Sequence, residues 1–193
     1  MLNNVVGEKI VTLLDGYQHQ GSLKDNFALM NHYVVFDTQR AIFDLLALRH
    51  IGAAKALLRV LFEAHVRGKW LYKCASEKQI AQAQKDNIKS KTTGNSVQFY
   101  EMIEDLEKAS PNLNGALKKF KDNHWKGLNS LIHSGVLQLQ RYSSLYNVEN
   151  IDAEIATIID FSNRMTIGSL SEVGVITKNK YIIQSSIELT KAL

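Results

Sequence analysis

Apolar side chains recur along this chain at intervals of three and four residues, the spacing that gathers them on one side of an α-helix. Val5, Ile10, Leu13 and Leu14 mark such a side and predict a first helix over about 4–17. The Gly21-Ser22 pair interrupts the pattern. Leu29, Val34, Phe36, Ile42, Phe43, Leu45 and Leu46 then carry a long second helix over about 25–49, and Gly52 is expected to mark a bend. A third helix, about 53–74, is the most apolar in the chain. Ser76-Glu77-Lys78-Gln79 matches a capping box, which opens a short polar helix. The stretch from Ser90 to Asn95 reads as a loop, with Asn95 and Gln98 starting the next helix. Ser110-Pro111 sets a capping serine before a proline at the first helical position. Helices follow over about 113–121 and 123–142. After Asn147-Val148-Glu149-Asn150 come a long helix from about Ile151 and a last one from about Lys178.

No segment alternates apolar and polar residues between Asn-Gly or Asp-Gly turns, so no hairpin is predicted. A single proline in 193 residues, against a usual share of roughly 5%, leaves long helices unobstructed. The expected fold is all-α, a compact multi-helix bundle with long antiparallel helices. One domain over 1–193 is expected, with a core over about 25–175 and the terminal helices packed on it. A chain of this length buries a sufficient core without metal or disulfide staples.

The lone Cys74 has no intramolecular disulfide partner, and no Cys-x-x-Cys pair is present. A reducing, cytoplasmic compartment is therefore expected. The first residues lack a basic segment followed by an apolar one, and no stretch has the roughly 18 uncharged apolar residues of a membrane span. A formal charge of +4 and a pI near 9.1 permit nucleic-acid binding without requiring it.

Two constellations carry candidate chemistry. On the third helix Arg59, Glu63 and Arg67, four residues apart, form one narrow charged stripe on an otherwise apolar cylinder of Leu57, Leu58, Val60, Leu61, Phe62, Val66, Trp70 and Leu71. A helix apolar on nearly all sides belongs at the centre of a bundle, so the stripe is expected in or beside the core. Three readings stand: an architectural Arg-Glu-Arg network, a plain surface row of salt bridges, or a device in which Glu63 orients arginines that meet an anion through their planar, permanently charged forks. The second constellation is His124-Trp125-Lys126-Gly127-Leu128-Asn129-Ser130-Leu131-Ile132-His133-Ser134-Gly135. Asn129 and His133 share a helix face, and Lys126 lies at its edge. His133 is a candidate proton carrier near neutral pH. Asn129 is a candidate orienter, Lys126 and Arg141 are candidate phosphate contacts, and Trp125 is an aromatic for stacking a base. Gly135 allows a close backbone or ligand approach. No metal-ligand spacing and no cofactor motif is found, so neither is expected.

Arg59-x3-Glu63-x3-Arg67-x2-Trp70-Leu71, followed about 60 residues later by Leu128-Asn129-x3-His133-x-Gly135, resembles a group of bacterial helical proteins related to the HEPN superfamily of nucleotide- and RNA-associated domains. The resemblance covers roughly Ile42 to Tyr142. It implies a homodimer that cuts RNA without a metal ion, in a toxin or antiphage-defence setting, with His133 as the motif histidine. The motif arginine does not carry over: Lys126 stands seven residues before His133, and Asn129 occupies the turn between. Arg59 or Arg67 would have to supply the guanidinium from the third helix. RNA or a nucleotide is thus the expected ligand. The competing expectation is a non-catalytic helical module that docks on a protein partner. Convergence of Arg59, Arg67 and His133 on one cleft favours chemistry; burial of both arginines against carboxylates, away from His133, favours the module.

Overall fold

A computed structural model describes residues 3–85, 87–90, 94, 96–133, 135–139 and 151–193. They form α1 (Val5–Leu14), α2 (Leu23–Ala47), α3 (Ile51–Lys73), α4 (Glu77–Ala83), α5 (Phe99–Ala109), a 3₁₀ turn (Pro111–Leu113), α6 (Ala116–Ile132), α7 (Val136–Leu139), α8 (Ile151–Ile176) and α9 (Lys180–Ala192). No strand occurs among the described residues; Lys89 and Ser96 make an isolated antiparallel bridge. No helix of the described residues is long and apolar enough to cross a membrane.

Local chemistry accounts for the boundaries. The Asn4 side chain accepts the Gly7 N–H and starts α1. Ser22 and Asp25 form a reciprocal capping box at α2, and Ser76 with Gln79 forms the expected one at α4. The bend between α2 and α3 falls at Arg49 rather than Gly52. Arg49 takes a left-handed φ of 60°, its N–H donates to Leu46 and the His50 N–H to Leu45, which is a Schellman closure. Gly52 lies inside the first turn of α3. The helices expected over 113–121 and 123–142 are one helix through Ile132, because Asp122-Asn123 contains no residue able to break it. Glu107 caps that helix by accepting the N–H groups of Gly115 and Leu117 at 2.9 Å. Gln98 caps α5, as expected; Asn95 lies outside the described residues. Asn147–Asn150 and Tyr142 also lie outside them.

The α2 and α3 helices pack antiparallel along their lengths, and α8 lies against both. Lys55–Glu154, His65–Ser169 and Lys69–Glu172 pairs show that α8 runs parallel to α3. Phe62, Trp70, Leu46, Leu61, Leu71, Leu106 and Leu170 are wholly buried there, each contributing about 1.5–3 kcal/mol. Trp70 donates its indole N–H to Asp105 at 3.0 Å. Three residues expected in the core face outward instead: Val5 is 56%, Val34 46% and Val60 39% exposed, the places of the first two being taken by Val6 and Val35 one residue on.

A polar seam runs through this apolar bundle. At one end Gln39 bonds both Asn4 and Asn163. Further along, His32 and His65 face each other with ring centroids 6.0 Å apart. The Ser169 hydroxyl lies 2.8 Å from His65 Nδ1. Lys69 and Glu172 close the far end at 2.7 Å. Burial holds both histidines down to about 3; His65 adds to the effect at His32, and Lys69 adds to it at His65. The unfolded chain takes up these protons near the ordinary value of 6.5, whereas the folded chain resists until about 3. Protonation therefore favours unfolding, and the stability present above about 6.5 is lost as pH falls toward 3.

Thermal melts followed by circular dichroism should show a midpoint that drops steadily from neutral pH into the acid range below 6.5; a flat profile would contradict neutral, buried imidazoles. A second expectation concerns Gly68, where a Cβ would meet the His32 ring at 2.9 Å and the Ala28 carbonyl oxygen at 3.1 Å. Gly68→Ala is expected to cost about 1–3 kcal/mol by overpacking, read as a lower urea midpoint.

Candidate functional site

The α3 stripe emerges from the bundle where α6 crosses it. Arg59 and Glu63 are one helical turn apart, and the Arg59 Nε–H donates to Glu63 Oε1 at 2.8 Å. Their side chains are 21% and 34% exposed, so the pair stands at the surface edge of the core rather than within it. The architectural Arg-Glu-Arg network is not built. Arg67 is exposed, and no ion pair joins it to Glu63 among the described residues.

On α6 the apolar stripe of Leu117, Phe120, Leu128 and Leu131 faces the core, and the end of the helix comes beside Arg59. His133 is the C-cap of α6, its N–H donating to the Asn129 carbonyl at 3.1 Å. The ring is exposed, and its Nε2 lies 3.4 Å from Arg59 Nη1. A guanidinium has only donors, so in this contact Nε2 accepts and the imidazole proton sits on Nδ1. The two constellations, 74 residues apart in sequence, thus share one surface. Gly135 closes the corner: its N–H donates to the Ser130 carbonyl at 2.7 Å, and a Cβ there would come within 2.9 Å of the Ser130 Cα.

Trp125 is half-buried rather than an open platform. The Arg59 guanidinium lies 4.7 Å from its ring centroid, and Phe99 stacks nearly parallel to it, also at 4.7 Å. Phe99 in turn meets Phe62 edge to face. Arg59 is therefore held from three directions: by the Glu63 carboxylate, the Trp125 face and the His133 ring. Phe99 escaped the sequence reading because nothing in its spacing ties it to Trp125. The Asn129 Oδ1 atom is buried and has no hydrogen-bond partner among the described residues. Lys126 is exposed two turns before His133. Arg141 lies outside the described residues.

Beside this surface is an apolar cavity of about 270 Å³ lined by Lys55, Leu58, Phe120, His124, Leu128 and Phe161, among others. The Phe120 and Phe161 rings stack at 5.1 Å, and His124 tilts against Phe120 at 4.5 Å. Among the described residues no cluster of three or more His, Cys, Asp or Glu side chains converges as a metal-ligand set.

Fold and site together define an all-α protein whose central helix presents an oriented arginine to a histidine at the end of a crossing helix. The chain belongs to DUF6988, a family of unknown function, whose profile matches residues 32–192 and so includes every residue of this site. No curated protein and no solved structure matches it.

Arg59→Ala removes an ion pair and a cation–π contact that are both partly exposed. A loss of about 0.5–2 kcal/mol is expected, measured by urea denaturation, with a shift in tryptophan emission as Trp125 loses its cover. An unchanged spectrum would show that Arg59 does not rest on that ring in solution.

Proposed function

We propose that this chain is a HEPN-like, RNA-directed protein that cleaves the RNA backbone at the Arg59–His133 surface, acting as a homodimer. The observation that carries this reading is the 3.4 Å approach of Arg59 Nη1 to His133 Nε2. It brings the guanidinium that the histidine's own segment lacks. A proton acceptor and a fixed cation then stand side by side, the pair that attack of a ribose 2′-hydroxyl on its own phosphate requires.

In this scheme a phosphate enters between the two side chains and takes the Arg59 N–H donors, releasing His133 Nε2. That nitrogen removes the 2′-hydroxyl proton. The 2′-oxygen bonds to phosphorus while the bond from phosphorus to the 5′-oxygen breaks, and solvent protonates the departing oxygen. The products are a 2′,3′-cyclic phosphate and a 5′-hydroxyl. Arg59, held by Glu63, stabilises the charge gathering on the phosphoryl oxygens. Asn129 Oδ1 gains a donor from the incoming ribose, which relieves its unpaired burial. Lys126 and Arg67 extend the positive surface along the strand, and the neighbouring cavity with its Phe120, Phe161 and His124 rings seats a base by stacking.

The reading in which the arginines are purely architectural fits less well. It calls for both guanidiniums buried against carboxylates and for His133 elsewhere, whereas Arg67 is exposed and His133 adjoins Arg59.

The test is incubation of the purified chain with mixed cellular RNA in EDTA. The wild type should yield cyclic-phosphate ends. His133→Ala should lower the rate by at least about 10²-fold, and Arg59→Ala by about 10²–10³-fold, with unchanged helical circular dichroism in both. Absence of cleavage by the wild type, or undiminished cleavage by folded His133→Ala, would reject the proposal.

A further inference from the structure

A second cavity, of about 410 Å³, lies between α1, α2 and α8. None of the residues lining it belongs to the Arg59–His133 surface or its neighbouring cavity. Its wall of Ile10, Leu14 and Phe36 is apolar. Tyr17 and Tyr33 bring aromatic rings to it, and Asp15, Asp37 and Arg40 stand on it as charged groups. Thr166 of α8 also lines it; the residue is completely buried, and its hydroxyl has no hydrogen-bond partner among the described residues. A buried hydroxyl left unpaired costs free energy, so an orphan on a residue that lines a cavity points to a guest that supplies the missing bond.

The charge pattern narrows the guest. The whole chain carries a formal charge of +4, yet this lining holds two carboxylates against one guanidinium. Arg40 follows Asp37 by three residues, and no ion pair joins them among the described residues. Carboxylates beside tyrosine faces suit an organic cation, through ion pairing and cation–π attraction. The α1 wall is fixed in place by Asn4, whose side chain exchanges hydrogen bonds with Gln39 of α2 at 3.0 and 2.6 Å. The cavity is thus built by tied elements rather than left by a loose terminus.

We propose that this cavity binds a small primary ammonium compound with an aromatic body. Its cation sits by Asp15 and Asp37 against the tyrosine rings, its body on Ile10, Leu14 and Phe36, and a hydroxyl at its far end pairs with Thr166. Free amines and amino acids share this chemistry. In an amino acid the α-carboxylate adds a pair with Arg40.

Four matched probes test it by ligand-induced thermal stabilisation: tyramine, tyrosine, 2-phenylethylamine and 3-(4-hydroxyphenyl)propionate. Tyramine at about 100 times its Kd should raise the melting temperature by roughly 5–10 °C. Phenylethylamine, lacking the hydroxyl, should bind at least about fivefold more weakly, and the propionate should give no shift. Stabilisation by tyrosine as well as tyramine identifies an amino acid as the guest class; stabilisation by tyramine alone identifies an amine. Asp37→Asn, at an exposed position, should fold normally and lose the tyramine shift. Thr166→Val should melt no lower than the wild type without ligand, having lost an unpaired buried hydroxyl, while binding tyramine no better than phenylethylamine. The proposal is overturned if no probe gives a shift at millimolar concentration, if the propionate matches tyramine, or if the shift survives in Asp37→Asn.

Discussion

The structure turns on how α3 accommodates charge. This helix buries Leu58, Leu61, Phe62, Val66, Trp70 and Leu71 against neighbours on several sides, and such a helix has no broad solvent face on which to place polar groups. An unpaired charge in that position would be very costly. The chain meets the constraint in two ways. Lys69, at the α8 side, is mostly covered and paired with the buried Glu172 at 2.7 Å. Arg59 and Glu63 are paired with each other and brought to the one side where the packing layer ends, beneath the C-terminal half of α6. The place of α6, and with it the place of His133, follows from the aromatic contacts that Phe62, Phe99 and Phe120 make along the same edge.

The same bundle tolerates an unusual amount of buried polarity along α8. Ser162, Asn163, Thr166, Ser169 and Glu172 all face inward, at the spacing that otherwise carries apolar core residues. Asn163 and Ser169 have partners on α2 and α3, whereas the Thr166 hydroxyl and the Glu172 Oε2 atom have none among the described residues. Partnered polar groups fix the register between helices, since sliding α8 by one turn would break each of them. The unpartnered ones contribute nothing of that kind. Their cost is borne by the surrounding apolar burial, and at Thr166 the neighbouring cavity supplies a physical reason for retaining it.

Helical periodicity and capping chemistry made the fold class and most helix starts legible, because both are properties of a few adjacent residues. Ser76 is read correctly from sequence for that reason, whereas Ser22, whose box with Asp25 is just as local, reads from the pattern only as part of an interruption. The α2–α3 bend is not legible at Arg49, because its closure depends on a left-handed residue that is not glycine. Val5 and Val34 were assigned to the wrong face because each has an equally apolar neighbour, Val6 or Val35, and the choice between them is made by packing from another helix. The site divides in the same manner. The Arg59–Glu63 pairing follows from local spacing and could be read directly. Its approach to His133 could be posed only as a requirement, since it depends on where α6 crosses α3. The partners of Trp125 and the N-terminal cavity arise from contacts between distant segments, and no local pattern announces them.

The Arg59–His133 contact differs from a fixed strut in its length and its setting. A strut would be expected to use a short, charge-assisted bond in a dry setting, as Lys69 and Glu172 do. Here a guanidinium faces an imidazole nitrogen at 3.4 Å, at the long edge of hydrogen bonding, on a surface reached by water. The strong restraints on Arg59 are the other two, the Glu63 carboxylate and the Trp125 face, and neither depends on His133. In the proposed reading an entering phosphate displaces the histidine contact and leaves the arginine oriented. A bond that is weak on one side and firmly supported on the other is the arrangement a substrate could open without dismantling the helices that present it.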